Sequence, residues 1–442
     1  MTALPQIGIA LASVAVMIAA MAGVRTLASS YGLAAEVQRK LVHVGTGLYA
    51  IVLPWLFADD WPVYVLLALT LGVMAVLRLP AMARGLGATL HGVERRSYGD
   101  FLFTLAVGLC FFLSDGLAIF YVLPIAVLTL ADAAAALAGT AYGTRRYPVE
   151  AGHKSVEGSV VFFTVTLLIA IIALMFLTDL AHANILTLAV MVAGFGTLVE
   201  AQSWRGFDNL FLPLGLLVFL SVHLTSSIFE LAGLAVLFSL AILGFLAIGP
   251  RLGLTTHASR VHVVAMFLIL AVTDVQNALM PALVLLAHAW AGLQQPSGDP
   301  YGDLDIVAAL GLVSFGWLAL GNALGWNAVG FYGLSAMGLT MGLVSIALGP
   351  RILWILAVAV VLFALRYGVV RMTPAEATWA EPLWPLAIAC LALPVLATRL
   401  FPAAFTSDRV LKLTVVALLL PTAYYAIAVA GGTWAPMTGV QS

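Results

Sequence analysis

The chain is a succession of apolar runs of roughly 20 residues, the length one membrane crossing needs, separated by short polar turns. Such runs fall near 6–29, 41–58, 61–79, 99–114, 117–140, 158–178, 184–201 and 209–226. A second set follows near 230–249, 260–292, 306–323, 328–348, 352–371, 383–400 and 410–430. The pattern predicts an all-α, polytopic transmembrane helical bundle of about 15 spans. The 260–292 run is longer than one crossing needs and is expected to be tilted or broken. The first run lacks a basic leader and a small-residue cleavage site, so it is expected to stay as a span.

Basic residues orient these spans. With the N-terminus outside, the inner loops and helix ends of the first eight runs hold Arg25, Arg39, Lys40, Arg78, Arg84, Arg95, Arg96, Arg145, Arg146, Lys154 and Arg205. The alternate loops hold none, and carry Asp59, Asp60, Asp115 and Asp179 instead. The later runs are mixed: Arg251, Arg260, Arg366 and Arg371 fall inside, and Arg351, Arg399, Arg409 and Lys412 fall outside. Polar and glycine-bearing motifs crowd the inner edge before about residue 228, which suggests a catalytic domain over 1–228 and an additional helical bundle of unassigned role over 229–442.

Composition agrees with a membrane protein. Of 442 residues, 63% are hydrophobic and only 9% charged, against about 25% charged in soluble domains. A formal net charge of −1 gives no reason to expect a nucleic-acid partner. Cys110 and Cys390 both lie in apolar runs and read as buried, inert thiols.

Asp132 is the most informative residue. It interrupts the apolar run Leu130-Ala-Asp132-Ala-Ala-Ala-Ala-Leu-Ala-Gly139-Thr-Ala-Tyr-Gly143, and a carboxylate inside a membrane is costly enough to be functional by default. Its alanines and glycines allow close helix approach. The bland alternative is a carboxylate neutralised by a nearby Arg or Lys for packing specificity. Gly152-His-Lys154-Ser155-Val-Glu157-Gly158-Ser159 then opens the next run. A lysine and amide groups at a helix start suit an anion, with Glu157 as a possible metal or base group, although Ser155 also reads as a plain N-cap. This is not a phosphate-binding loop of the GxxxxGK[ST] type.

Three further groups share that edge. Glu36, Arg39, Lys40 and His43 have helical spacing, so they can share a face. Arg39 and Lys40 could simply anchor at headgroups, but an anchor needs no imidazole at His43. Gly45 and Gly47 loosely match a dinucleotide fingerprint, which no preceding strand supports. Arg95-Arg96-Ser97-Tyr98-Gly99-Asp100 could clamp phosphate or only set topology. Glu200 closes one run, and Arg205-Gly-Phe-Asp208-Asn209 opens the next. Asp208 and Asn209 are suitable oxygen ligands for Mg2+, or a helix cap.

In this order the pieces resemble the CTP-dependent prenol kinases: phytol kinase, farnesol kinase and the kinase region of dolichol kinase. That family is related to the CDP-diacylglycerol synthases and the fungal CTP-dependent diacylglycerol kinase. The matching stretches are Glu36–His43, Ser97–Gly99, Asp132–Gly143, Lys154–Ser159, and Glu200 through Asp208–Pro213. Ala131 stands where the family usually has Gly, and His153 replaces the first lysine of Lys-Lys-Ser. The resemblance implies CTP at the cytoplasmic face of a plasma membrane of bacterial or archaeal type. It implies Mg2+ held by Asp132 and Asp208, with Asn209 and Glu157 as further candidates. Phosphates would be held by Arg39, Lys40, Lys154, Ser155, Gly158, Arg95 and Arg96. A lipid alcohol entering from the surrounding membrane lipids would attack the γ-phosphate, and His43 or Glu200 would take its proton. Other readings compete. Within enzymes, cytidylyl transfer to phosphatidate would use the same nucleotide at its α-phosphate, and a CTP-dependent diacylglycerol kinase would use it at its γ-phosphate. A secondary transporter could use Asp274, Gln276, Asn277, Asn322 and Asn327, but it should show internal symmetry, and none is visible.

Overall fold

The computed structural model describes residues 3–77, 98–149, 152–202, 206–272, 275–324, 328–373 and 383–431, without the side chains of 3, 35, 36, 252, 267–272 and 275. Arg95, Arg96, Arg205, Asp274, Asn327 and the side chain of Glu36 therefore lie outside the described residues. The chain forms two compact units, Met1–Val236 and Leu237–Ser442.

The first unit begins with α1 (Ala3–Tyr31), α2 (Ala35–Leu56), α3 (Trp61–Leu77) and α4 (Gly99–Leu113). Helix α5 (Ala118–Tyr142) is continuous but contains a π-turn at Val127–Ala131. After a short hairpin come α6 (Val156–Leu177), α7 (His182–Ala201) and α8 (Asp208–His223). Helix α9 (Ile228–Ile248) starts in a reciprocal cap, in which Ser227 N donates to Glu230 Oε2 at 2.7 Å and Glu230 N donates to Ser227 Oγ at 3.3 Å.

Helix α8 is the core of this unit. Every residue from Asn209 to Leu220 is buried, as expected of a helix apolar on all sides, and it packs against α4, α5 and α7. Helix α2 runs antiparallel along α5. Tyr121 Oη donates to Ala50 O at 2.6 Å at one end of the contact. In the middle, Gly47 approaches Thr129 so closely that a Cβ would collide with its side chain. Gly47 is therefore a packing glycine within a helix, and the fingerprint reading is excluded.

The hairpin was not expected. Strands β1 (Arg146–Val149) and β2 (Gly152–Ser155) pair antiparallel, with Tyr147 opposite Lys154 and Arg146 opposite Ser155. Lys154 thus sits on a strand, two residues before the helix whose start it is expected to open. Four-residue strands with a Pro and a Gly carry too little alternation to register as strands.

The second unit contains α10 (Thr256–Val272), α11 (Leu279–Gln294), α12 (Gly302–Leu324), α13 (Val329–Leu348), α14 (Ile352–Met372), α15 (Trp384–Leu400) and α16 (Arg409–Ala430). The long 260–292 run is broken: α10 ends at Val272, and a 3-10 turn at Val275–Ala278 leads into α11. Helix α13 is buried on every side, packed against α11, α12, α14, α15 and α16. Its Gly333 meets Arg366 on α14, Gly338 meets Cys390 on α15, and Gly342 meets Leu413 on α16. Asn277 accepts a long hydrogen bond from Thr373, at 3.5 Å.

This is an integral membrane, all-α polytopic bundle. Among the described residues nine helices are long and apolar enough to cross a membrane, fewer than the fifteen expected. Helices α3, α4, α8 and α15 are apolar but only 15–17 residues long, while α2 carries Arg39, Lys40 and His43 in its first turns. Apolar content alone cannot separate a crossing from a shorter helix buried by its neighbours.

Candidate active site

Four elements converge at one end of the first unit. Asp132 follows the π-turn of α5, Glu200 is in the last turn of α7, Asp208 is the first residue of α8, and Lys154 lies on β2. Oxygens of the three carboxylates lie within 4.8 Å of one another. A π-turn inserts one residue into the helical repeat, rotating the following face by about 100° relative to a regular helix. Asp132 is the first residue after that insertion, with Pro124 one turn before it.

Each side of the cluster carries a lysine. Lys40, 3% exposed, places Nζ 2.6 Å from Asp132 Oδ2. Lys154 Nζ lies 2.5 Å from Glu200 Oε1 and also donates to the Glu200 backbone carbonyl. Burial pulls the Lys154 ammonium pKa down. The Glu200 and Asp208 carboxylates outweigh it, so the pKa stands above the ordinary lysine value. Glu200 Oε2 is buried with no hydrogen-bond partner among the described residues. His43 Nε2 lies 3.0 Å from Leu128 O and 3.4 Å from Asp132 Oδ2, and its ring meets Phe103 edge-on at 5.1 Å. Two oxygens facing Nε2 require a proton there, which leaves Nδ1 as the basic nitrogen. Arg39, half-buried on the same helix, adds positive charge at Asp132 and His43.

The hairpin is tied down on both sides. Tyr147 Oη and Ser159 Oγ are 2.8 Å apart, and Val156 N donates to Arg145 O at 2.8 Å. Ser155 caps α6, its Oγ accepting from Gly158 N at 3.1 Å. A Cβ on Gly158 would lie 3.0 Å from Ala135 O and 3.4 Å from Gly139 Cα. The small residues of the Asp132–Gly143 run therefore let α6 lie directly against α5, which brings the hairpin and Lys154 up to Glu200.

Phytol kinase of Synechocystis sp. is 35% identical to this chain over 185 residues, covering 41% of the chain and 76% of that protein. The chain belongs to the phytol/prenol kinase family. No family profile matches it, and no solved structure does. Membership makes the chain a kinase.

The structure gathers Lys40, His43, Asp132, Lys154, Glu200 and Asp208 into that constellation. Four expected residues are engaged elsewhere, Ser155 among them through its cap on α6. Glu157 accepts from Thr144 Oγ1 at 2.5 Å and from Arg145 N at 3.1 Å, outside the carboxylate cluster. The Gly158 amide is used by the Ser155 cap, and Asn209 Nδ2 donates to Gly99 O at 2.8 Å, fixing α8 to α4. Glu200, read from sequence only as a base, is the third carboxylate of the cluster. Its position at a run's end, eight residues before Asp208, was the available signal.

Proposed function

We propose that this protein is an integral-membrane kinase that transfers the γ-phosphate of CTP to an isoprenoid alcohol at the cytoplasmic face. The observation that carries the reading is the meeting of Asp132, Glu200 and Asp208 with Lys40 and Lys154, in a chain 35% identical to a phytol kinase. The eleven basic residues on one side of the first eight runs support the cytoplasmic assignment. The CTP donor rests on the resemblance of the motifs.

Asp132, Glu200 and Asp208 fit Mg2+ as a hard-oxygen donor set, and Glu200 Oε2, which has no hydrogen-bond partner among the described residues, is a ligand atom a cation would satisfy. In this reading Glu200 replaces Glu157 in the expected set. When bound, the cation supplies charge neutralisation for the nucleotide's phosphate oxygens. Lys154, Lys40 and Arg39 bind and orient the triphosphate. The lipid alcohol oxygen attacks the γ-phosphorus, the bond to the β-phosphate bridging oxygen breaks, and CDP leaves. The alcohol proton passes to His43, whose Nε2–H is anchored by Leu128 O and which therefore presents Nδ1.

Purified protein with Mg2+, γ-labelled CTP and a panel of phytol, farnesol, geranylgeraniol and polyprenols tests the reading. Label is expected in an organic-soluble lipid phosphate. Label appearing in pyrophosphate, with the cytidylyl group on lipid, would instead assign cytidylyl transfer.

A further inference from the structure

The two lysines stand where a bound cation would have to compete with them. Lys40 Nζ is 2.6 Å from Asp132 Oδ2 and Lys154 Nζ is 2.5 Å from Glu200 Oε1, and both carboxylates belong to the group whose oxygens lie within 4.8 Å of one another. Two ammonium groups and three carboxylates nearly balance. Adding a divalent cation reverses the sign of the cluster and leaves buried ammonium groups facing positive charge, which is costly unless an anion arrives. The charge of Arg39 acts in the same direction.

We propose that Lys40 and Lys154 are exchangeable counterions. Each holds a carboxylate until a divalent cation takes it, and then turns its ammonium to the phosphates of the nucleotide. This inference rests on the cation-site reading of the preceding section. Lysine suits the exchange because it is a compact charge on a flexible four-carbon stem with rotatable donors. Both stems enter from elements other than those that carry the carboxylates: Lys40 from α2 and Lys154 from β2. Either ammonium can therefore swing away while α5, α7 and α8 keep the carboxylates in place. The consequence is thermodynamic. Cation and triphosphate bind with positive coupling, and the coupling is reciprocal. The cation alone binds weakly because it must displace two ammonium groups from the carboxylates they hold.

The test is Mn2+ binding to the full-length protein in detergent, followed by the loss of the free Mn2+ resonance signal, with and without the β,γ-methylene analogue of CTP. For the natural chain, the analogue is expected to tighten Mn2+ binding by about tenfold or more. Lys154→Gln and Lys40→Met should each bind Mn2+ alone about tenfold more tightly than the natural chain, while the analogue's effect shrinks. Lys154 is partly exposed, at 24% of its side chain, so its substitution carries the test if Lys40→Met does not fold. If Asp132→Asn abolishes Mn2+ binding but the lysine variants bind Mn2+ alone no better than the natural chain, the exchange is overturned and the cation site stands. If Asp132→Asn and Glu200→Gln both bind Mn2+ as the natural chain does, the cation-site reading itself has failed.

Discussion

Lys40 and Asp132 are 92 residues apart in the chain, and their charged groups meet at 2.6 Å in a buried contact. One comes from the first turns of α2 and the other from α5 just after its π-turn, along a seam that also joins Gly47 to Thr129 and Ala50 to Tyr121. The pair neutralises a carboxylate inside the bundle and at the same time places that carboxylate beside Glu200 and Asp208. Removing one partner leaves a buried charge, which costs about 3–5 kcal/mol. Lys40→Ala should therefore lower the thermal melting temperature sharply. The double variant Lys40→Met with Asp132→Leu should regain most of that stability while remaining inactive. Recovery of activity with stability would show the pair to be purely structural.

Asp132→Asn keeps the side-chain volume and a hydrogen-bonding oxygen but removes the charge. Turnover should fall by about a hundredfold or more with the protein still folded. Chelation by EDTA should abolish activity, and Mg2+ should restore it. Near-normal turnover of the variant, or activity indifferent to EDTA, would contradict the site.

Lys154→Ala should raise the KM for CTP by about tenfold, since an ammonium on the phosphates is lost. ATP should be the poorer donor. The Lys154 pKa is raised in the folded protein, so its charge and its contribution to stability are present at neutral pH. They are lost only as the pH rises through that folded value, above the ordinary lysine pKa of about 10.4. A KM for CTP that climbs between pH 7 and 9 in the natural chain, and flattens in Lys154→Ala, would contradict this.

Gly158→Ala puts a Cβ 3.0 Å from the Ala135 carbonyl, a backbone atom that cannot rotate away. Overpacking of this kind costs about 1–3 kcal/mol. Both the melting temperature and the rate should drop, because the same crossing positions Lys154. A melting temperature equal to that of the natural chain would show that α5 and α6 have room to separate.

The unit Met1–Val236 contains every residue of the proposed site. A chain ending at Ile248, which keeps α9 whole, should retain kinase activity, assayed as label transferred from γ-labelled CTP to phytol. A folded but wholly inactive shortened chain would show that the later helices complete the site.

The sequence by itself determined the environment, the class of fold and the family. Runs of apolar residues can be stable only in a bilayer or a fully buried core, and a carboxylate among them at Asp132 has to be neutralised or used. Those constraints act on single positions and nearest neighbours along the helix, so they can be read from the chain. The Asp132, Lys154 and Asp208 motifs, and the family they resemble, were legible for that reason. Tertiary structure alone decided which lysine meets which carboxylate, that Glu200 joins Asp132 and Asp208, and that Glu157, Gly158 and Asn209 serve the frame. It also decided that Lys154 lies on a hairpin and that α8 is enclosed by its neighbours. These facts depend on how far one helix approaches another, which Gly47, Gly139 and Gly158 permit and the π-turn of α5 redirects. No periodicity within a single segment records a distance between two.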